Sequence, residues 1–231
     1  MFELLRGGAP PGTAKIGVDS NRRDGWSDPL RSSSASPRAL PRNSVRIIGG
    51  VWRSRVIRFA EAPGLRPTPD RIRETLFNWL RQDLAGARCL DLFAGSGALG
   101  FEALSRGAAE VVMVESSRTA HRMLRENSGR LGAGERLRLV LDDALHFLAV
   151  PGAGTFDVVF VDPPYGGGFV PDVLVRLPDV IRPGALAYVE SDLPVAPGAP
   201  WRMRRRGRAG AAYYHLMEWG GDDQGRLSGD V

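Results

Sequence analysis

Several residues of this sequence have types and spacings that suit chemistry. Gly95, Gly97 and Gly100 fit the pattern G-x-G-x-x-G within Cys89-Leu-Asp-Leu-Phe-Ala-Gly-Ser-Gly-Ala-Leu-Gly100. Glycine permits a tight turn and close backbone approach, and a helix starting there offers free N–H groups, so the stretch reads as a cradle for a nucleotide-type cofactor. Glu115 stands about 20 residues past Gly95, from where a carboxylate can accept hydrogen bonds from both hydroxyls of a ribose. Asp162-Pro-Pro-Tyr165 joins an acid, a carbonyl held by proline and an aromatic ring, a more specific set than a mere strand terminator needs. Asp142-Asp143 admits two readings: an acid that receives the amino group of an adenine, or a helix N-cap. A glycine fingerprint alone also describes an ordinary strand-to-helix turn, so its neighbours must decide.

The elements that would position these residues can be read from periodicity. The first half of Cys89–Gly100, with Ala87 and Arg88, is a short apolar run that enters the glycine turn, and Ala98 to Arg106 carries Leu99, Ala103 and Leu104 at helical spacing. Strands are predicted over Glu110–Glu115, Leu137–Leu141 and Phe156–Val161, the last a near-continuous apolar run suited to a central parallel strand. The two prolines after Asp162 cannot continue a ladder, so the chain must leave the sheet there, at the edge where open α/β sheets bind ligands. A helix after Pro171, a strand over Ala185–Glu190, a basic strand near Trp201–Arg206 and a last strand near Ala211–Glu218 complete a mostly parallel, doubly wound sheet closed by an antiparallel strand.

Ahead of this lies a basic hairpin, Val45–Ile48 and Arg55–Phe59 joined through Gly49-Gly50, and a helix announced by Arg66-Pro-Thr-Pro-Asp70, with Thr68 as its cap and Pro69 at its first position. Ile72, Leu76, Phe77 and Leu80 share one face; Arg71, Arg73, Glu74 and Asn78 occupy the others, as solvated residues or as contacts to cofactor and RNA. Arginine is concentrated in two places. One holds Arg53, Arg55, Arg66, Arg71 and Arg73, the other Arg204, Arg205 and Arg206. Either cluster alone is compatible with a solvated surface, but two flanking a cofactor domain favour a polyanionic partner.

Bulk properties narrow the classes. The chain has 231 residues, enough for one main domain, and a formal net charge of +5. Its single cysteine allows no internal disulfide and no cysteine metal site, which fits a reducing cytoplasm. His121, His146 and His215 are scattered and lack metal-ligand spacing, so no metal is expected. No stretch approaches a membrane span, and Met1–Arg6 lacks a signal peptide's apolar core. Residues 1–43, rich in Gly, Pro, Ser and Arg, are expected to be a disordered basic tail, either touching RNA or reflecting a start assigned too early; Glu3, Asp19, Asp24 and Asp28 argue against a transit peptide. The expected organisation is then 44–84 as hairpin and helix, 85–220 as the catalytic domain, and 221–231 as a flexible end.

With both motifs in place the sequence resembles the class I S-adenosylmethionine-dependent methyltransferases, and Asp162-Pro-Pro-Tyr165 resembles the signature of those that methylate exocyclic amines of nucleobases. Arg46-Ile-Ile-Gly-Gly-Val-Trp-Arg53, Arg66-Pro-Thr-Pro-Asp-Arg-Ile-Arg-Glu-Thr-Leu-Phe-Asn78 and Asp91-Leu-Phe-Ala-Gly-Ser-Gly-Ala-Leu-Gly100 narrow the resemblance to the RsmD family of bacterial 16S ribosomal RNA guanine-N2 methyltransferases, over about Val45 to Trp219. The resemblance implies a Rossmann-like sheet of seven mostly parallel strands with helices on both faces. It implies S-adenosylmethionine as cofactor, held by Asp91, Phe93, Ala94, Gly95, Ser96, Gly97, Gly100, Glu115, Asp143 and Ala144. It places catalysis at Asp162, Pro163, Pro164 and Tyr165, and makes 16S ribosomal RNA, within a small-subunit assembly particle, the partner. Ser117 departs from the family's usual acidic or polar residue after Glu115, which leaves the ribose contacts open.

Three other readings share part of these features. A nicotinamide-dependent oxidoreductase would share the cradle and Glu115 but has no use for Asp-Pro-Pro-Tyr. A methyltransferase acting on another nucleic-acid amine, such as N6 of adenine in DNA, would share the tetrapeptide; only the hairpin and the Arg66–Asn78 segment speak for ribosomal RNA. A non-catalytic RNA-binding protein would not need an intact cofactor and amine site.

Overall fold

The first described element is a small hairpin, β1 (Ser44–Arg46) paired antiparallel with β2 (Val56–Arg58). It is shorter than the sequence predicts because the chain turns through a short 3-10 segment, Gly50–Trp52, whose backbone binds elsewhere: the Trp52 N–H donates to Ser105 Oγ at 2.9 Å. α1 (Asp70–Trp79) follows, then the alternating units β3 (Arg88–Asp91), α2 (Ala98–Ser105), β4 (Glu110–Glu115), α3 (Arg118–Leu131), β5 (Leu137–Leu141), α4 (Ala144–Ala149), β6 (Phe156–Val161), α5 (Phe169–Arg176) and β7 (Ile181–Ser191). Two long strands, β8 (Trp201–Ala209) and β9 (Ala212–Trp219), are the last described elements. The computed structural model describes residues 42–60, 68–152 and 154–220. Nearly all of the predicted tail, Arg66 and the residues after 220 lie outside the described residues.

The large sheet has seven strands in the order β5-β4-β3-β6-β7-β9-β8, parallel from β5 to β7. The sequence predicts one antiparallel strand, and β9 is that strand; it inserts between β7 and β8, antiparallel to both, so it does not itself close the sheet. A tight turn at Gly210 returns the chain beside β8, and β9, apolar at Leu216, Met217 and Trp219, takes the more buried position while arginine-rich β8 takes the edge. Charged side chains on an edge strand also oppose sheet-to-sheet aggregation.

Alternate strand residues face opposite sides, as a two-residue period requires. Cys89, Val111, Met113, Val158, Phe160 and Tyr188 pack with the hairpin, α1, α2 and α3. Leu90, Val112, Val114, Val159, Val161, Ala187 and Val189 pack under α4 and α5. The sheet is thus covered on both faces, the Rossmann-like arrangement that the resemblance implies. Two boundaries differ from expectation. α5 begins before Pro171, which sits in its first turn where a missing N–H costs no helical bond. β7 begins at Ile181 rather than Ala185, with an irregular register between Phe156 and Val158 on its neighbour.

The hairpin and α1 share the core of the sheet within one compact unit, Ala39–Val231. Their anchor is Glu102 on α2, fully buried. Its Oε2 accepts the Ile48 N–H at 2.8 Å and Arg73 Nη1 at 3.4 Å, and its Oε1 accepts the Gly49 N–H at 2.7 Å and Arg106 Nε at 2.8 Å. Arg73 also donates to the Arg46 carbonyl at 2.8 Å, to Asp70 at 2.6 Å and to the Thr68 carbonyl at 3.2 Å. Arg73 is therefore no RNA contact, as its helical position suggested, but a fully buried tie between hairpin, α1 and α2. A second clamp joins β2 to α3, where Asn127 accepts from the Arg58 N–H at 3.1 Å and donates to its carbonyl at 2.6 Å.

Candidate active site

The chain runs β3, β4, β5 to one side of the sheet and then crosses back to lay β6 on the other side of β3. At such a reversal the loops leaving the carboxyl ends of adjacent strands diverge and open a crevice. The loops that leave β3 and β6 here are the glycine turn and Asp162-Pro-Pro-Tyr165.

The turn has the backbone its glycines allow. Gly95 and Gly97 have φ of 50° and 78°, and a Cβ on Gly97 would lie 2.6 Å from both Leu124 and Phe101. Gly97 is the residue from which α2 starts, so the turn and helix N-terminus form together, as predicted. Behind them Asp91 Oδ2 accepts the Gly100 N–H at 2.9 Å, and a Cβ at Gly100 would strike Met113 at 2.4 Å and Asp91 at 3.1 Å. Ala94 and Ser96 are buried in the turn; Phe93 is half-buried, its ring 5.6 Å from that of Phe169.

Glu115 ends β4 half-buried, one carboxylate oxygen accepting the Gly95 N–H at 2.8 Å and the other the Ser117 N–H at 2.7 Å. It therefore stands at the glycine turn, where the spacing puts it. Ser117 instead caps α3, accepting from the Ala120 N–H at 3.3 Å. Asp143 is exposed and takes the cap reading left open by sequence: its Oδ1 accepts from Leu145 and His146 N–H at 2.8 and 3.1 Å. Ala144 is buried beneath it, and Asp142 pairs with His146 at 2.8 Å, which lowers the Asp142 pKa.

Asp162 is half-buried beside β7, with Pro163 buried, Pro164 exposed and Tyr165 59% exposed at the crevice mouth. Thr68 reaches it from the segment before α1, its hydroxyl donating to Asp162 Oδ2 at 2.9 Å. The predicted cap role of Thr68 is thereby corrected: Pro69 precedes α1 without a side-chain cap, and the hydroxyl is spent on Asp162. Sequence reasoning also passed over Glu190. It is 3% exposed near the end of β7, where Tyr188 Oη donates to its Oε1 at 2.7 Å. The available signal was an acid directly after the largely apolar run Ala185–Val189.

The carboxylates of this crevice influence one another. Burial raises the Asp91 pKa to about 7, with further upward contributions from Asp162 and Glu115 and a downward one from the Gly100 N–H. Burial likewise raises Asp162 to about 6, partly offset by Thr68. Burial, then Glu190, Asp162 and Asp192, raise Tyr165 to about 12, so its phenol stays protonated. A crevice with this field suits a cationic guest and repels a pyrophosphate.

The arginine clusters differ in freedom. Arg53 and Arg71 are exposed, whereas exposed Arg55 donates to the Arg130 and Leu131 carbonyls at the C-terminus of α3, a favourable site for a cation. On β8, Arg204 pairs with Glu218 while Arg205 and Arg206 are exposed beside it. His121 and His215 are buried and His146 lies on the surface. Among the described residues no group of three or more His, Cys, Asp or Glu could hold a metal ion, and no helix is long and apolar enough to cross a membrane.

A glycine cradle on the first central strand, an acid closing the next, and a seven-stranded sheet ending in an antiparallel β9 together define a Rossmann-like class I methyltransferase fold. The chain belongs to the Conserved hypothetical protein 95 family, the RsmD family, whose model matches residues 45–218. It is 46% identical over 180 residues to ribosomal RNA small subunit methyltransferase D of Escherichia coli, covering 75% of this chain and 89% of that protein. The protein of the same name from Haemophilus influenzae is 39% identical over 183 residues, covering 77% and 95%. Among solved structures, yhhF of Escherichia coli superposes with a TM-score of 0.69 at 45% identity, over 76% of this chain and 98% of that one.

Proposed function

We propose that this protein transfers a methyl group from S-adenosylmethionine to the exocyclic N2 amine of a guanine in 16S ribosomal RNA, with a small-subunit assembly particle as the physical substrate. The observation that carries the cofactor reading is the shared field of Asp91, Glu115 and Asp162 around a glycine turn. S-adenosylmethionine carries a sulfonium and an ammonium, which such a field favours, while the two phosphates of a nicotinamide dinucleotide would meet like charge. The residues present fit the group: Gly95, Gly97 and Gly100 leave the turn free of side chains, Glu115 lies against it within reach of a ribose, and Asp143 keeps one carboxylate oxygen beyond its cap bonds for an adenine amine. The relatives' names and the Asp162-Pro-Pro-Tyr165 set support a ribosomal RNA amine as acceptor.

When bound, S-adenosylmethionine supplies an electrophilic methyl carbon. The protein's task is to present an amine whose lone pair is delocalised into its ring and which, in a stacked helix, is out of reach; the base must be unpaired or flipped. Tyr165, exposed at the crevice mouth, offers its ring to stack on that base. The Asp162 carboxylate and the Pro163 carbonyl accept the two amine hydrogens, turning the nitrogen lone pair toward the methyl carbon, a gain that comes mostly from positioning. Asp162 then takes the proton that the methylated nitrogen releases.

Two measurements bear on this reading. Glu115→Ala removes charge-assisted hydrogen bonds of on the order of 1.5 to 3 kcal/mol, so S-adenosylmethionine affinity is expected to fall about ten- to a hundredfold by calorimetry. Unchanged affinity, or tight NAD binding by the parent protein, would reject the cofactor assignment. For the RNA, replacing Arg204, Arg205 and Arg206 with Ala is expected to weaken binding and flatten its dependence on salt, because phosphate contacts release counterions. Base choice should hardly change. If affinity and salt slope both stay at the parent values, β8 is only a solvated edge.

A further inference from the structure

We propose that Glu190 and Thr68 are positioning residues that share one proton with Asp162: a neutral Glu190 carboxyl donates to the Thr68 hydroxyl, and Thr68 donates to an ionised Asp162. The inference rests on the reading of Asp162 as the proton acceptor for methyl transfer and goes beyond it by assigning what sets its charge.

Strand register brings the two acids together. β6 and β7 run parallel with Phe160 opposite Tyr188 and Val161 opposite Val189, so the next step along both chains sets Asp162 beside Glu190 at the carboxyl edge. Glu190 is buried and Asp162 half-buried, and buried Thr68 lies beside both: its hydroxyl donates to Asp162 Oδ2 at 2.9 Å and is near enough to influence the Glu190 carboxyl. Counting protons fixes the direction. Tyr188 is buried, held in its protonated form, and donates to Glu190 Oε1 at 2.7 Å, so that oxygen is an acceptor. A threonine hydroxyl has a single proton, and Asp162 has it. A hydrogen bond between Thr68 and Glu190 then has Thr68 accepting, and our proposal puts the proton on Glu190.

Electrostatics agree with this direction. Two carboxylates in one dry pocket do not both ionise readily. Burial, then the charge of Asp162, raises Glu190 to about 8 against the lowering influence of Tyr188 and Thr68, and leaves Asp162 the lower of the two. The other groups facing the pair are Tyr188 from β7, Tyr214 from β9, Tyr165 and Asp192 from the flanking loops, and Asp91 at the end of β3. All are acids or phenols, so no neighbour among them competes for the role of cation.

The device keeps Asp162 ionised in a site that would otherwise neutralise it, with Oδ2 held and Oδ1 left for the substrate. In the transfer the N–C bond forms as the C–S bond breaks, the electron pair leaving on sulfur, and the nitrogen gives one proton to Asp162. Glu190 keeps its own proton throughout, so the site ends the step with both carboxyls neutral and returns one proton to water after product leaves.

The test is a pH titration of the full chain carrying carboxyl-labelled Asp and Glu, read by carbon-13 resonance, alongside single-turnover methylation over the same range. The parent is expected to show two coupled steps, one near pH 6 and one near pH 8, and a rate that falls above the second. Glu190→Gln, whose amide can donate to Thr68 and accept from Tyr188, is expected to lose the upper step and the alkaline fall while keeping the neutral rate within about threefold. Glu190→Ala should drop that rate about tenfold. Thr68→Val, which removes a hydrogen bond to a charged group, should move the Asp162 step up by about one unit, and it reads the same proton if Glu190→Gln does not fold. A carboxyl step near pH 8 persisting in Glu190→Gln, or a folded Glu190→Gln as inactive as Asp162→Ala, overturns the proposal. A shared titration together with a rate indifferent to Asp162→Ala upholds the proton pair and removes the acceptor role of Asp162.

Discussion

Asp162→Ala is expected to slow single-turnover methylation of ribosomal RNA by at least about 10²-fold, the lower range for a positioned proton acceptor, with cofactor affinity within a few fold of the parent. The reason is the division of labour across the crevice: the glycine turn and Glu115 leave from β3 and β4, whereas Asp162 leaves from β6 and its nearest partner is Thr68. Asp162→Asn should be about as slow, because an amide accepts a hydrogen bond from Thr68 but takes no proton from the substrate. Single-turnover rates at saturating cofactor, paired with calorimetry, separate chemistry from binding. A folded Asp162→Ala protein that methylates at the parent rate would remove the mechanism.

Glu102→Ala is expected to cost about 3 to 5 kcal/mol of stability, the range for leaving one member of a buried ion pair without its partner. Glu102 and Arg73 are both fully buried, and alanine would leave Arg73 with Asp70 as its one carboxylate, take from Arg106 its partner at 2.8 Å and strand the Ile48 and Gly49 N–H groups. For a protein of this size the melting temperature should fall by roughly 6 to 20 °C. The damage should reach the site as well, since Arg73 holds the Thr68 carbonyl at 3.2 Å while the Thr68 hydroxyl holds Asp162. Denaturant titration checks the first claim; a loss below about 1 kcal/mol would mean that the hairpin is anchored by apolar contacts such as Ile47, Trp52 and Ile57 instead.

The sequence by itself determined whatever depends on neighbours a few residues apart. Strand β3, the turn at Gly95 and Gly97 and helix α2 follow from an apolar run, glycines that tolerate positive φ and a helical repeat, all within the stretch Arg88–Ser105. The exit of the chain at Asp162 follows from two prolines, and Glu115 fell at the turn because a strand of fixed rise ends where its spacing says. The tertiary structure alone decided which distant groups meet. Thr68 carries the same hydroxyl whether it caps its own helix or bonds an acid 94 residues away, and only the packing of α1 against the sheet chose the second. Arg71 and Arg73 are indistinguishable as arginines near the start of a helix, yet one is exposed and the other fully buried, because Glu102 on α2 supplies the charge that makes burial affordable. Glu190 drew no reading beyond the end of a strand, and only the register of β6 against β7 set it beside Asp162. Local steric preference is written in consecutive residues, whereas the partner of a buried polar group is fixed by strand order and helix packing, which no short window of sequence contains.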